Sequence, residues 1–398
     1  MKPQDFKSLA YALEEDLVAV RRDFHRHPET AFEEVRTAGI VAGVLADLGM
    51  EVQTGVGRTG VVGILEGAHD GPTVLVRADM DALPIREENS VDYVSTTGGK
   101  MHACGHDGHT SIALGVARIL AGLRDDIHGR VKFVFQPAEE VGRGAQAMVS
   151  DGVLEDPRPD YSVGLHLWNS LPVGTVGIAP GPVMAGASTF IIRIQGRGGH
   201  AASPHQSIDP VICAAQIVMG LQSIISRNVD PFESGVISVS VVKAGETHNV
   251  TPQSAEMIGT MRYFKDDVRD LMVRRMREVT EHTAMAMGCT AELVVTPMTF
   301  PVVNDPQVTA TLSRKFGDIV GPDQLDAGVR TMGAEDVGLF MRDIPGTYFF
   351  VGARDATADA YYPHHHPRFT IDEASLPLGA ALLVTAVAAY VIPDDVDA

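Results

Sequence analysis

Short apolar runs and helix-periodic stretches alternate along the first half of the chain, the pattern of a mainly parallel sheet covered by helices. The segments GPTVLVRADM, GRVKFVFQPAEE and PDYSVGLHLW are rich in β-branched or aromatic residues, and each ends in polar ones. Each predicts a buried strand that delivers side chains at its tip. Between the first two lies HDGHTSIALGVARILAGL, where Ile112, Val116, Ile119, Leu120 and Leu123 recur at helical spacing behind an expected cap at Asp107 or Thr110. Ligands of open α/β sheets gather beyond the carboxyl ends of the strands, so polar residues at these tips are placed for chemistry.

From about Gly186 the rhythm changes. STFIIRIQ, GVISVSVVKAG, SAEMIGTMRYF and CTAELVVTP read as strands, interleaved with the helices DPVICAAQIVMGLQSIIS and KDDVRDLMVRRMREVTEHTAMAM. That order predicts a split βαβ, ferredoxin-like module inserted in the first domain. The earlier rhythm then resumes with GTYFFVGAR and the apolar helix SLPLGAALLVTAVAAYVI. The reading is an α/β domain made of residues 1–185 and 298–398, interrupted by an α+β domain over 186–297. For 398 residues, two domains also match the usual domain size.

Charge and composition narrow the functional classes. A formal net charge of -19 argues against nucleic acid, whose phosphates need lysine and arginine to displace counterions. The first residues are charged and lack the apolar core of a secretory signal. No segment approaches the roughly 18 apolar residues expected of a membrane helix. Cys104, Cys213 and Cys289 lie far apart and do not suggest a disulfide framework. Together these features predict a cytoplasmic protein with no nucleic-acid or membrane partner.

The chemistry concentrates in MHACGHDGHT, which sets His102, Cys104, His106, Asp107 and His109 between Met101 and Thr110. Imidazole, thiolate and carboxylate are the donors that hold borderline transition metals, although a polar turn before a helix has the same composition. Glu139 and Glu140 follow a strand end, where adjacent carboxylates repel and a cation holds both. One of the two can ligate while the other takes a proton from water. His166 interrupts an apolar strand, and a hydrogen-bonded core histidine is its plain alternative. The tract His364, His365, His366 offers further imidazoles, and Asp79 and Asp81 stand at another strand tip, where a carboxylate orients a ligating histidine. Sequence-distant groups that all place donors at strand ends point jointly to a metal centre.

The motifs FHRHPE, RADMDALP, MHACGHDGH, FQPAEE, GLHLW, GRGGHAASPH, NVTP, MGAEDV and HHHPRF occur in this order along almost the whole chain. In them the chain resembles the M20 metallopeptidases, specifically the amidohydrolase branch that includes aminoacylases, hippurate hydrolases and auxin-conjugate hydrolases. The resemblance implies a catalytic domain of zinc-exopeptidase type holding two divalent ions, Zn, Mn, Co or Ni. It makes Cys104, His106, Glu140, His166 and His365 the ligands and Glu139 the general base, with an offset of one left open in the tract 364–366. Cys104 stands where other branches use a bridging aspartate, and Asp79 where they carry a histidine ligand, so Asp79 is left outside the ligand set. The inserted domain is implied to make a homodimer or dimer-based oligomer. Its His200 is implied to polarise the scissile carbonyl, and Asn249 lies in the matching THNVTP segment. Arg262 is a candidate partner for a substrate carboxylate.

The implied activity is hydrolysis of the amide bond of small N-acyl-L-amino acids by metal-activated water. A dipeptidase or carboxypeptidase on the same metals is the alternative within catalysis. A non-catalytic, metal-dependent binding protein is the alternative outside it, and Glu139 argues against it because a pure binder needs no base.

Overall fold

Val74, Val76, Val131, Phe133, Val163, Leu165, Phe349 and Val351 have almost no exposed surface, and the strands that carry them lie side by side. A computed structural model of the chain describes residues 1–355 and 361–393. Two units emerge, one from Met1–Val183, Val303–Arg330 and the segment from Asp336 onward, the other from Met184–Val302 and Thr331–Glu335.

The first unit contains β1 (Glu51–Val56), β2 (Gly60–Glu66), β3 (His69–Asp79), β4 (His128–Gln136), β5 (Tyr161–Pro172) and β6 (Val176–Gly177). Late in the chain it adds β14 (Leu325–Asp326) and β16 (Gly346–Arg354). They form one eight-stranded sheet in the order β1-β2-β4-β3-β5-β16-β6-β14. The central β4, β3, β5 and β16 are parallel, whereas β1, β2 and β6 join antiparallel. The expected parallel sheet is therefore the middle of a mixed one. The helices of this unit are α1 (Pro3–Tyr11), α2 (Glu14–Arg26), α3 (Val35–Asp47), α4 (His106–Gly122), α5 (Gly144–Ser150), α8 (Pro306–Val320) and α9 (Ser375–Val391).

Helix α9 is apolar on every side, and 15 of its 17 residues are buried, as such a composition requires. It packs on α1, α4 and α8 and on the central strands. Its approach to α4 depends on Gly379, where a Cβ would meet Ile112 at 2.7 Å. Helix α4 starts one turn earlier than its expected caps. Gly105, in the left-handed conformation at φ 92, precedes His106, and neither Asp107 nor Thr110 caps. Thr110 Oγ1 instead donates to the carbonyl of Asp79, and Asp107 is drawn into a buried ion pair with Arg21.

The second unit contains β7 (Gly181–Gln195) from Met184 onward, β8 (Gly199–His200), α6 (Pro210–Arg227), β9 (Gly235–Ala244), β10 (Val250–Thr251), β11 (Ser254–Tyr263), α7 (Asp266–Ala286) and β12 (Thr290–Thr299). The chain leaves it through β13 (Val302–Asn304) and returns for β15 (Thr331–Ala334), which pairs with β7. The order β12-β7-β11-β9, antiparallel throughout, is the split βαβ arrangement. Ile192, Ile194, Met257 and Met261 of the sheet pack with Ile217, Leu221, Met272 and Met276 of α6 and α7. Asp209 caps α6 by accepting from the Val211 amide at 2.8 Å, with Pro210 at the first helical position. Contrary to expectation, α6 is by length and composition apolar enough to cross a membrane. Its Cys213, Ile217, Leu221 and Ile224 face the core of this unit, which accounts for that composition.

Replacing the fully buried Leu382 of α9 by alanine is expected to cost about 2–5 kcal/mol, because the cavity lies where helix and sheet interlock. Urea unfolding of the two proteins measures the difference, and a loss under about 1 kcal/mol contradicts the packing role.

Candidate metal centre

Register brings the polar tips of the parallel strands to one edge. Asp79, at the end of β3, lies opposite Gln136 at the end of β4. Arg77 pairs with Gly164 of β5, two residues before Asp79 and His166 respectively, and His166 pairs with Phe350 of β16. The segments beyond these tips bend through left-handed backbone at Gly105, Ala138 (φ 54) and His365 (φ 67). Glycine adopts that conformation freely, whereas alanine and histidine hold it only when their surroundings impose it. The Ala138 amide donates to Glu34 at 2.9 Å, and its carbonyl accepts from Gly144 at 3.1 Å. The His365 amide donates to the Ala103 carbonyl at 2.8 Å.

These bends gather the donors. One ligand atom each from Cys104, His106 and His166 lies within 4.8 Å of the others, and the same holds for Cys104, Glu140 and His365. A third such group joins His106, Glu139 and Glu140. Cys104 Sγ is 3.5 Å from His166 Nε2, Glu140 Oε2 is 3.3 Å from His365 Nε2, and Glu140 Oε1 is 3.9 Å from His106 Nε2.

Hydrogen bonds assign which ring nitrogen faces inward. His106 Nδ1 donates to the Asp81 carbonyl at 2.9 Å, and His166 Nδ1 to the Leu167 carbonyl at 2.8 Å. In both rings Nε2 is left with its lone pair toward the cluster. His106 Nε2 and Glu140 Oε1 are buried and lack a hydrogen-bond partner, an expensive state that a cation relieves. One sulfur, three imidazole nitrogens and a carboxylate form a borderline-soft donor set suited to Zn, Mn, Co or Ni, so the residues present fit a pair of divalent ions.

His109, His364 and His366 are engaged elsewhere, whereas both ring nitrogens of the buried His102 lack a hydrogen-bond partner. His109 donates to Asp79 at 2.7 Å and accepts from the Leu167 amide at 2.8 Å. His364 Nε2 donates to the Leu167 carbonyl at 3.1 Å, and His366 accepts from the Arg368 amide at 3.0 Å. Of the tract 364–366, His365 alone faces Cys104 and Glu140. Asp79 is braced by Arg77 at 2.7 Å and approaches His106 Nε2 at 3.6 Å. Asp81 accepts from the amides of Glu139 and Glu140, each at 3.1 Å, and stands 3.3 Å from His106 Nδ1, so it orients three members of the cluster.

The cluster behaves as a concentrated seat for positive charge. Burial and the Glu140 carboxylate push the Cys104 thiol up. Hydrogen bonds to Cys104 and Glu140 raise His365 to about 10, so the donors that suit a cation hold a proton there. Burial opposes a charge on Asp79, but His106, Arg77 and His109 hold its carboxyl well below the usual range.

Within the second unit, β8 and β10 form a short ribbon in which His200 lies opposite Val250, beside Asn249. His200 Nδ1 accepts from the Ala202 amide at 3.1 Å, leaving Nε2 as an exposed donor. Asn249 accepts from Thr247 at 3.1 Å. Arg262 is not gathered with them. It lies near the far end of β11, half-buried, donating to Thr260 and to the Met261 carbonyl. Burial lowers its guanidinium, and no carboxylate pairs with it among the described residues.

A buried ionic network behind the cluster is absent from the expected site residues. Arg21 Nε lies 2.8 Å from Asp107, the residue after His106, and His25 bridges Asp107 at 2.8 Å and Glu87 at 3.1 Å. Its signal was the i, i+4 spacing of Arg21 and His25 on the face of α2 that also carries Leu17 and Phe24.

The sequence pattern of peptidase family M20/M25/M40 matches residues 75–389. The chain is 39% identical over 365 residues to the N-acetylcysteine deacetylase of Bacillus subtilis (strain 168), covering 92% of this chain and 94% of that one. It is 38% identical over 372 residues to thermostable carboxypeptidase 1 of Saccharolobus solfataricus, covering 92% and 93%. Among solved structures, the YXEP protein of Bacillus subtilis, described as a dinuclear metal binding peptidase from the M20 family, has a TM-score of 0.82 at 35% identity over 95% of this chain and 99% of that one.

Removing one partner of the buried pair by Asp107→Ala is expected to cost about 3–5 kcal/mol near neutral pH. Burial opposes the Asp107 charge, but Arg21 and His25 hold its carboxyl far below the ordinary value. A carboxylate depressed in the folded state contributes stability that is complete above its unfolded value of about 3.9 and is lost as pH falls toward the folded one. The gap in urea stability between wild type and variant should therefore be constant above about pH 5 and shrink below about pH 4. A gap that stays unchanged on further acidification excludes the pair as its source.

Proposed function

The chain belongs to peptidase family M20/M25/M40, and from that membership and its donor cluster we propose that this amide-bond hydrolase acts on small N-acyl-L-amino acids with two divalent ions. The observation that carries the reading is that the Cys104, His106, His166 group and the Cys104, Glu140, His365 group share one sulfur beside Glu139. Cys104, His106, Glu140, His166 and His365 would hold the ions. When bound, these would polarise the scissile carbonyl and lower the pKa of water from 15.7 toward about 7.

Glu139 takes the proton from the attacking water and delivers it to the departing amine. Its backbone amide is anchored on Asp81, which keeps the side chain beside the donors. His200 donates from Nε2 to the developing oxyanion, a contribution of about 2.7–4 kcal/mol in comparable sites. Asn249 offers its side-chain amide to the substrate.

Similarity to a deacetylase of N-acetylcysteine supports acylated amino acids as substrates. Similarity to a thermostable carboxypeptidase favours a second reading, a peptidase on the same donors, since both substrate classes present an amide beside a free carboxylate. A homodimer is supported by the edge of β9, which no further strand pairs among the described residues, and by Val211, Ile212 and Met219 exposed along α6. Three free cysteines fit a reducing cytoplasm.

Initial rates on N-acetyl and N-benzoyl amino acids, compared with free dipeptides, separate the two readings. Turnover confined to dipeptides sinks the acyl-amino-acid assignment. Glu139→Gln is expected to lower kcat about 10²–10⁴-fold with metal content retained, and near-normal kcat removes its role as base. Cys104→Ser is expected to lower the metal content found by elemental analysis, because a hydroxyl is a poorer soft donor than a thiolate. Full occupancy in that variant contradicts the shared-sulfur arrangement.

A further inference from the structure

The donor cluster is anchored from two directions. The first turn of α4, carrying His106, is fixed to β3 through Asp81 and through the bond from Thr110 to the Asp79 carbonyl. The segment carrying His365 is held from the other side. Glu88 donates its amide to the Pro367 carbonyl at 2.9 Å, and Asn89 Nδ2 donates to the Phe369 carbonyl at 3.0 Å. Asn89 also donates to Glu87 at 3.1 Å, and the Ser95 amide donates to the other Glu87 oxygen at 2.8 Å. Arg22 adds two bonds to Glu373, at 2.9 and 2.6 Å.

One side chain joins these two anchors. His25, only 1% exposed, sets Nδ1 2.8 Å from Asp107 and 3.3 Å from Arg21 Nη2, and Nε2 3.1 Å from Glu87. The ring therefore bridges two carboxylates, with the Arg21 guanidinium against its Nδ1 side. Tyr93 closes over it, with Arg21 and Arg22 each 4.7 Å from the centre of the Tyr93 ring. The arrangement matters because His365 holds a left-handed backbone, which persists only where neighbours over-determine it.

We infer that His25 is a positioning residue for the Cys104, Glu140 and His365 group, tying the first turn of α4 through Glu87 and Asn89 to the backbone that follows His365. The inference rests on the two-ion reading above. His25 touches none of the donors. Its loss loosens the His365 segment, which keeps only its direct bonds to Ala103 and to the 88–89 turn, while His106 and His166 keep their own bonds to the Asp81 and Leu167 carbonyls. One ion site therefore weakens and the other does not.

The test is calorimetric titration of the metal-stripped full chain with Mn²⁺, for wild type, His25→Gln and Asn89→Ala. Wild type is expected to take up two ions. In His25→Gln one of the two ions is expected to bind as in wild type and the other roughly 10- to 100-fold less tightly. At limiting Mn²⁺ its kcat falls with KM unchanged, and excess Mn²⁺ restores it, a rescue that general damage to the fold does not show. Asn89→Ala, which does not touch Asp107, should show the same selective effect more weakly, and it decides the matter should His25→Gln not fold. Wild-type titration of both ions in the variants overturns the inference, as does equal weakening of both. A wild-type chain that takes up fewer than two ions removes the two-ion reading itself, and the inference with it.

Discussion

Sulfur, nitrogen and oxygen donors from four segments far apart in the chain stand within a few ångströms of one another, all but the exposed His365 out of water, and everything near them is built to tolerate that. Like partial charges at such range repel, and each buried donor without a partner costs free energy. The protein answers with a parallel sheet in which β3 and β4 end level with the middle of β5. The donors leave from beyond the tip of β4, from the middle of β5, where His166 was expected at a strand end, from the start of α4 and from the segment after β16. The sheet supplies rigidity, and the segments beyond it supply the bends.

Around the donors lies a shell of groups that touch them and are themselves satisfied. Asp81 accepts two amides and stands beside a histidine, Asp79 is braced by Arg77 and His109, and His109 takes a backbone amide of β5. Such partners choose the tautomer of each imidazole, and the tautomer chooses which nitrogen is available. Behind this shell, Arg21 and His25 face Asp107 and Glu87 out of water, and Arg22 meets Glu373 at a partly exposed margin. Buried ion pairs of this kind add little to stability when intact but are costly to break, so they suit the role of holding geometry.

The second unit follows a different logic. Its sheet and two helices make an ordinary apolar core, and His200 and Asn249 lie on an exposed ribbon. A donor that must meet a substrate gains from exposure, whereas donors that exclude water gain from burial.

The sequence by itself determined the classes of element and the donor types. Apolar periodicity marked the central strands, the inserted βαββαβ order and the fully apolar α9, because burial demands that pattern wherever it occurs. Spacing marked Cys104, His106, Glu139 and Glu140, because few other arrangements bring those residue types so close. Only the tertiary structure decided the rest. It decided that His365 rather than His364 or His366 turns toward Cys104, since that depends on a left-handed backbone held by Ala103. It made Asp107 a partner of Arg21 rather than a helix cap, and it left α6 packed on a sheet, although its composition alone suits a membrane. Each of these choices is made by contacts between residues distant in the chain, and local sequence carries no record of such contacts.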